Sequence, residues 1–119
     1  MAVRQPVALV HANGTVATVL GVNVSMGGLQ VTCDRYTLDA LLPSSAAAGA
    51  VSIGTAIDAH FKLPLNEGLT KLDMSCRVAY VTGTEGGGFL VGLEFSGASQ
   101  SGHAALAAFL EEALAYDLA

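Results

Sequence analysis

The polar side chains best suited to ligand binding lie near the amino end of the chain. A six-residue segment, Asn23-Val24-Ser25-Met26-Gly27-Gly28, places a carboxamide and a hydroxyl two residues apart and ends in two glycines. Asn and Ser can bond to base edges, while glycine lets a bulky ligand approach the backbone and permits positive φ. Arg4 adds a planar guanidinium that suits phosphate. The pattern favours a ligand that has hydrogen-bonding edges and a phosphate group.

Residues that usually perform catalysis or hold metals form no recognisable group. His11, His60 and His103 are far apart, and no pair has the spacing of metal ligands. Cys33 and Cys76 form no CxxC pair, so we expect reduced, half-buried strand cysteines. No serine lies in a Gly-x-Ser-x-Gly elbow. We therefore predict a binding module that is not an enzyme, with no metal and no cofactor.

Composition limits the class of protein and its partners. Of 119 residues, 52% are apolar and 13% charged, which predicts one folded domain over residues 1–119. The net charge of −5 argues against nucleic acid as a partner, because that binding depends on neutralising phosphates. No charged start precedes an apolar region, and no apolar run approaches the roughly 18 residues that cross a bilayer. We expect a cytoplasmic protein without membrane insertion.

Hydrophobic alternation and turn signals predict six strands. They are expected at residues 6–11, 15–23, 28–32, 51–61, 69–81 and 89–95. Asn13-Gly14 marks the first hairpin, and Pro64 with Asn66-Glu67-Gly68 is expected to end the fourth strand. In the fifth strand, alternation places Tyr80 on the same face as the other apolar residues, Met74, Cys76 and Val78.

Two segments outside the strands have helical character. Residues 36–42 are compatible with one helical turn, whereas Leu106, Phe109 and Leu110 recur at helical spacing after Ser99 or Ser101, either of which can cap the helix. Gly86-Gly87-Gly88 is expected to be a flexible hairpin loop without a phosphate site, because no helix follows it. We predict an all-β fold, a six-stranded antiparallel barrel with one C-terminal helix packed on it.

The order of strands and helix, together with the turn motif, resembles the PilZ domain family. Its Asn/Asp-x-Ser-x-x-Gly turn is matched at Asn23, Ser25 and Gly28. Arg4-Gln5-Pro6-Val7 heads the first strand and Gly92-Leu93-Glu94-Phe95 precedes the helix, as in similar family members. The resemblance implies a PilZ-type barrel that binds the bacterial second messenger cyclic di-GMP. It also implies signal transduction through a downstream or upstream signalling protein that controls motility, biofilm formation or exopolysaccharide output.

The resemblance also implies a set of cyclic di-GMP-binding residues. They are Arg4, Asn23, Ser25, Gly27, Gly28 and Tyr80, with Tyr80 as the aromatic ring that covers guanine. PilZ receptors use an Arg-x-x-x-Arg pair; spacing to the turn makes Arg4 the second arginine, so the first would precede Met1. In the other register Arg4 is the first and Ala8 stands at the second position. One arginine of the pair is missing either way, and nothing in the sequence places Arg35 or Arg77 beside Arg4.

These residues also have structural interpretations. Arg4 then is a solvated residue near a terminus, Asn23 and Ser25 stabilise the turn, and Tyr80 lies at the rim of the core. The incomplete arginine pair favours a degenerate PilZ adaptor that binds no nucleotide and acts through protein contacts, for example in a type IV pilus or signalling assembly. The intact turn motif favours the receptor.

Overall fold

The computed structural model describes residues 2–12, 14–41, 53–65, 68–98, 102 and 104–111, and its six antiparallel strands form a closed barrel. The elements are β1 (Ala2–His11), β2 (Val16–Val24), β3 (Gly28–Cys33), α1 (Arg35–Leu41), β4 (Ala56–Leu65), β5 (Gly68–Gly83), β6 (Phe89–Ala98) and α2 (104–111). The order around the barrel is β1-β2-β3-β6-β5-β4, and β1 closes it by pairing with β4. The predicted fold class is confirmed, with α1 as a second, short helix.

The alternation of apolar residues fills the barrel. Along β5, Leu72, Met74, Cys76 and Val78 are buried while the residues between them are exposed. Both helices add to the same core, α1 through Leu38 and Leu41, and α2 through Leu106 and Phe109. Among the described residues no buried side chain is polar or charged. Apolar burial therefore holds the helices on the barrel.

Strand β4 differs from its predicted bounds at both ends. It was expected to end before Pro64, but it continues to Leu65 and pairs with β5 throughout. Proline is tolerated because β1 pairs with β4 only from Ile57 to Phe61, so Pro64 needs no ladder bond on that side. The expected start at Val51 lies outside the described residues, and Ile53-Gly54 form a turn in which Gly54 has φ +87°.

Glycines with positive φ lie in the β1–β2 and β5–β6 hairpin loops. Gly14 has φ +93° in the β1–β2 turn, whose expected partner Asn13 lies outside the described residues. In the β5–β6 loop, Gly86 and Gly87 have positive φ, and the backbone nitrogen of Thr84 donates a hydrogen bond to the carbonyl of Gly88. The proposed helix caps Ser99 and Ser101 also lie outside the described residues.

Candidate functional site

The turn between β2 and β3 is fixed by three hydrogen bonds. The backbone nitrogen of Ser25 donates to the carbonyl of Gly28 at 2.9 Å, and the nitrogen of Gly27 donates to Oγ of Ser25 at 3.3 Å. The nitrogen of Phe95 in β6 donates to the carbonyl of Gly27 at 2.9 Å. Ser25 thus has a structural role in the turn, which is anchored to the last strand.

The two glycines of the turn have different surroundings. A Cβ at Gly27 would meet only Oγ of Ser25, at 4.0 Å, so this backbone is open to a ligand. A Cβ at Gly28 would lie under 3.0 Å from the carbonyl oxygen of Leu93, so Gly28 permits the close approach of β3 and β6. Neither glycine has positive φ, so the turn does not use the left-handed conformation that glycine permits.

A row of residues crosses five strands on the outer face of the barrel. Strand pairing sets Ala2 opposite Asn23, Asn23 opposite Gln30, Gln30 opposite Gly92, and Gly92 opposite Tyr80. Nδ2 of Asn23 donates to Oε1 of Gln30 at 3.3 Å, and Nε2 of Gln30 donates to the Tyr80 hydroxyl. Gln30 therefore links the motif residue Asn23 with the aromatic residue Tyr80.

Tyr80 points outward because of a β-bulge. Val78 pairs with Leu93 and Tyr80 with Gly92, so β5 contributes one more residue than β6 at this point. A bulge interrupts the alternation of side chains, and here Ala79 and Tyr80 are both exposed. The prediction that Tyr80 shares a face with Met74, Cys76 and Val78 is therefore wrong.

The Tyr80 ring rests on Gly92. A Cβ at Gly92 would lie 2.6 Å from Cδ1 of Tyr80 and closer still to Cε1 and Cζ, so the ring occupies the space that any side chain would need. Gly92 is buried, whereas Tyr80 keeps 38% of its surface exposed. One face of the ring is covered and the other is directed away from the barrel. Such a ring can stack on a planar heteroaromatic group.

These residues border one open cavity of about 350 Å³. Its lining consists of Asn23, Val24, Ser25, Gly27, Gly28, Leu29, Gln30, Ala79, Tyr80, Gly92, Leu93 and Glu94. Five of the six residues named from the sequence are therefore brought together, all except Arg4. A carboxamide, a hydroxyl, an open backbone and an aromatic face together suit a planar base with hydrogen-bonding edges.

Arg4 does not line the cavity and lies on the neighbouring strand β1. It is exposed on β1, two residues from Ala2, which pairs with Asn23. Neighbouring strands are about 4.8 Å apart, so Arg4 is one strand removed from the turn motif. Of the other two arginines, Arg77 stands opposite Glu94 in the pairing of β5 with β6, and its Nη1 donates to the carbonyl of Gly54 at 3.3 Å. Arg35 pairs with Asp39 on α1 at 3.5 Å.

The charged side chain that lines the cavity is negative. Glu94 is exposed at the cavity edge, and the lining residues include no Lys or Arg. An anionic ligand here depends on a cation outside the lining. Arg4 lies on the strand next to Asn23, and Arg77 lies opposite Glu94 at the other side of the cavity.

Sequence reasoning missed Gln30, Gly92 and Glu94 as parts of this site. Gln30 had a usable signal, because Leu29 and Val31 point inward and Gln30 is two residues beyond Gly28 on the outer face. Gly92 and Glu94 had none. The contact of Gly92 with Tyr80 depends on the bulge before Tyr80, and Glu94 reaches the turn only because β6 pairs with β3.

The remaining candidate residues form no second chemical centre in the described ranges. Cys33 and Cys76 are free, and no group of three or more His, Cys, Asp or Glu side chains that could hold a metal occurs among the residues described. His60 pairs with Asp73, with 2.7 Å between Nδ1 and Oδ1. No helix in the described part of the chain is long and apolar enough to cross a membrane.

Comparison with solved structures shows the same fold in three proteins. Bacillus subtilis inhibitor of motility (MotI/DgrA) has a TM-score of 0.73 and 16% identity, over 99% of this chain and 49% of that one. The PilZ domain of CeSA from a cellulose-synthesizing bacterium has a TM-score of 0.56 and 16% identity, over 94% and 96%. Borreliella burgdorferi PlzA in complex with c-di-GMP has a TM-score of 0.56 and 15% identity, over 93% and 45%.

The chain thus spans about half the length of MotI and PlzA and nearly all of the CeSA domain. No curated protein matches its sequence significantly. The family model described as PilZ domain matches residues 1–112, which include every strand, the turn motif and the cavity. The chain therefore belongs to the PilZ domain family.

Proposed function

We propose that this chain is a cytoplasmic, non-enzymatic PilZ domain that binds cyclic di-GMP and relays its level to a signalling protein. The observation that carries the proposal is the single cavity shared by Asn23, Ser25 and Gly27 of the turn motif and by the Tyr80 ring. Three strand spacings separate Asn23 from Tyr80, or about 14 Å, which leaves room for a base and a phosphate in the same ligand.

Each residue has a defined task in this proposal. Asn23 and Ser25 bond the polar edge of a guanine, and the open backbone at Gly27 lets the ligand approach. Tyr80 stacks on a base through its exposed face. Arg4 supplies the charge-assisted bonds to phosphate, because the cavity lining contains a carboxylate and no cation.

The relay follows from the anchoring of the turn. The carbonyl of Gly27 accepts a hydrogen bond from Phe95, so a ligand that moves the turn also acts on β6. A ligand shifts a protein between two states only if it binds them with different affinities. Here the two states would differ in the bond between Phe95 and Gly27. Support from relatives is consistent: PlzA was solved with c-di-GMP, and MotI is an inhibitor of motility.

Titration calorimetry of the purified chain with cyclic di-GMP tests the proposal. We expect saturable binding, and we expect Arg4→Ala to weaken it about ten- to a hundredfold because one charge-assisted contact is lost. Arg35→Ala is the matched control, since Arg35 lies on α1 at the opposite end of β3 from the turn. Equal affinity for the wild type and Arg4→Ala would exclude Arg4 as a ligand contact.

Two substitutions separate the binding role of the turn from its structural role. Asn23→Ala and Ser25→Ala are expected to weaken binding while the melting temperature falls only slightly, because both side chains are exposed. A large fall in melting temperature together with unchanged affinity would assign both residues to folding alone.

The second candidate function is a PilZ adaptor that binds no nucleotide and acts through protein contacts. Glu94 at the cavity edge favours it, since a carboxylate repels phosphate. The hydrogen bond from the nitrogen of Gly27 to Oγ of Ser25 also favours it, because this bond gives Ser25 a structural role that requires no ligand. A folded wild-type chain that gives no heat and no thermal shift with cyclic di-GMP would select this function.

A further inference from the structure

Two residues outside the turn motif hold the Tyr80 ring in place. Gln30 donates a hydrogen bond to the Tyr80 hydroxyl and accepts one from Asn23. Gly92 lies beneath the ring and leaves no room for a side chain of its own. The ring is thus fixed at its hydroxyl end and along one face, although it belongs to an exposed residue on the outside of a barrel.

We infer that Gln30 and Gly92 are positioning residues that orient Tyr80 so that one planar base stacks on its exposed face. The inference rests on the proposed function. It adds that only one face of the Tyr80 ring is open to a base, and that Gln30 and Gly92 orient that face. Because Gly92 covers the other face, Tyr80 takes one base and cannot be inserted between two.

The physical basis is the cost of ordering an exposed side chain. A free tyrosine on a surface samples several rotamers, and a ligand that needs one of them loses affinity in proportion to its population. The bulge turns Tyr80 outward, the bond from Gln30 fixes its hydroxyl, and contact with Gly92 fixes its plane. Each constraint acts before the ligand arrives, so the ordering does not weaken binding.

The hydrogen-bond direction adds a chemical preference. The Tyr80 hydroxyl accepts from Nε2 of Gln30, which leaves its own hydrogen to donate to another group. A ligand atom at the free edge of the ring is therefore expected to be an acceptor, such as a ring nitrogen, a carbonyl oxygen or a phosphate oxygen.

Two variants test this arrangement. Gln30→Met removes both hydrogen bonds at similar size, and Gly92→Ala displaces the ring. Gly97→Ala is the matched control on the same strand, because a Cβ there meets only Cβ of Ser75 at an ordinary 3.9 Å. Each variant is first checked for a cooperative melting transition.

The first measurement needs no ligand. In the free protein the Hα resonances of Gly92 should be shifted by the ring current of Tyr80, and this shift should decrease in Gln30→Met but persist in Gly97→Ala. The second measurement is calorimetry with cyclic di-GMP. Because a base gains affinity by stacking on an ordered aromatic ring, Gln30→Met and Gly92→Ala should weaken binding about tenfold.

The outcomes separate this inference from the proposed function. An unchanged Gly92 shift and unchanged affinity in Gln30→Met would overturn the positioning role while cyclic di-GMP binding stands. A wild-type chain that fails to bind cyclic di-GMP would overturn the proposed function and the stacking role with it. Loss of the shift together with weaker binding in Gln30→Met and Gly92→Ala, with Gly97→Ala unaffected, would support both.

Discussion

Replacement of Gly28 by alanine should destabilise the barrel, although its neighbour Gly27 should accept the same change. The added Cβ at position 28 would lie under 3.0 Å from the carbonyl oxygen of Leu93, whereas ordinary contacts begin near 3.4 Å. Because the clashing atom is a backbone oxygen and cannot rotate away, β3 and β6 must separate by more than about 0.4 Å before the clash is relieved.

The cost has two parts. Overpacking a well-packed position typically costs about 1–3 kcal/mol. Separation of the strands also stretches the nearby bond from the nitrogen of Phe95 to the carbonyl of Gly27, now 2.9 Å, and loss of one such bond costs about 1 kcal/mol. We therefore expect Gly28→Ala to lower the free energy of unfolding by about 2–4 kcal/mol and the melting temperature by about 8–16 °C.

The assay is urea unfolding followed by circular dichroism, with Gly27→Ala as the matched control. A Cβ at Gly27 meets only Oγ of Ser25 at 4.0 Å, so the free energy of unfolding should change by no more than about 0.5 kcal/mol. Gly27→Ala should instead weaken cyclic di-GMP binding, because it fills the open backbone of the cavity. Equal urea midpoints for the two variants would refute the packing argument for Gly28.

Three further outcomes are expected. Glu94→Gln should strengthen cyclic di-GMP binding about twofold in low-salt calorimetry and less at 0.15 M salt, since it removes a repulsive charge at the cavity edge; weaker binding would instead make Glu94 a ligand contact. The hydrogen bond with His60 lowers the pKa of Asp73 below its ordinary value, so the ionised carboxylate stabilises the fold above that ordinary value and the stabilisation is lost as the pH falls through the lowered pKa. Asp73→Asn should thus slightly lower the urea midpoint at about pH 6, and the difference from the wild type should shrink as the pH is lowered; a difference independent of pH would contradict the linkage. Burial raises the pKa of Cys76 to about 12, so this thiol should react with a disulfide reagent at about pH 8 only after unfolding; reaction in the native protein would contradict its burial.

Much of the fold was predictable because period-two hydrophobicity is a local property. It located all six strands and identified inward-facing residues such as Met74 and Cys76, while helical spacing located the terminal helix. The bounds of β4 were not predictable, because tolerance of Pro64 depends on how far β1 extends along its other side. That is a property of barrel closure, which no short window of sequence contains.

The candidate site was predictable where it depends on the chain locally. Asn23, Ser25 and Gly27 are close in sequence, and the turn brings them to one cavity. Tyr80 was assigned to the wrong face because one extra residue in β5 reverses the alternation. The role of Gly28 in strand packing and of Gly92 under the ring also depends on pairing with distant strands, as does the strand order that sets β1, with Arg4, beside β2.

The hydrogen bond between Phe95 and Gly27 gives the barrel a mechanical consequence. Strand β6 ends at Ala98, shortly before α2, whose Leu106 is fully buried. A displacement of the turn would therefore act directly on β6, the strand that precedes α2 in the sequence, and would not need a change in the packing of the core. Conversely, a neighbouring protein that displaces β6 near Phe95 would also move the turn and change the shape of the cavity beside it.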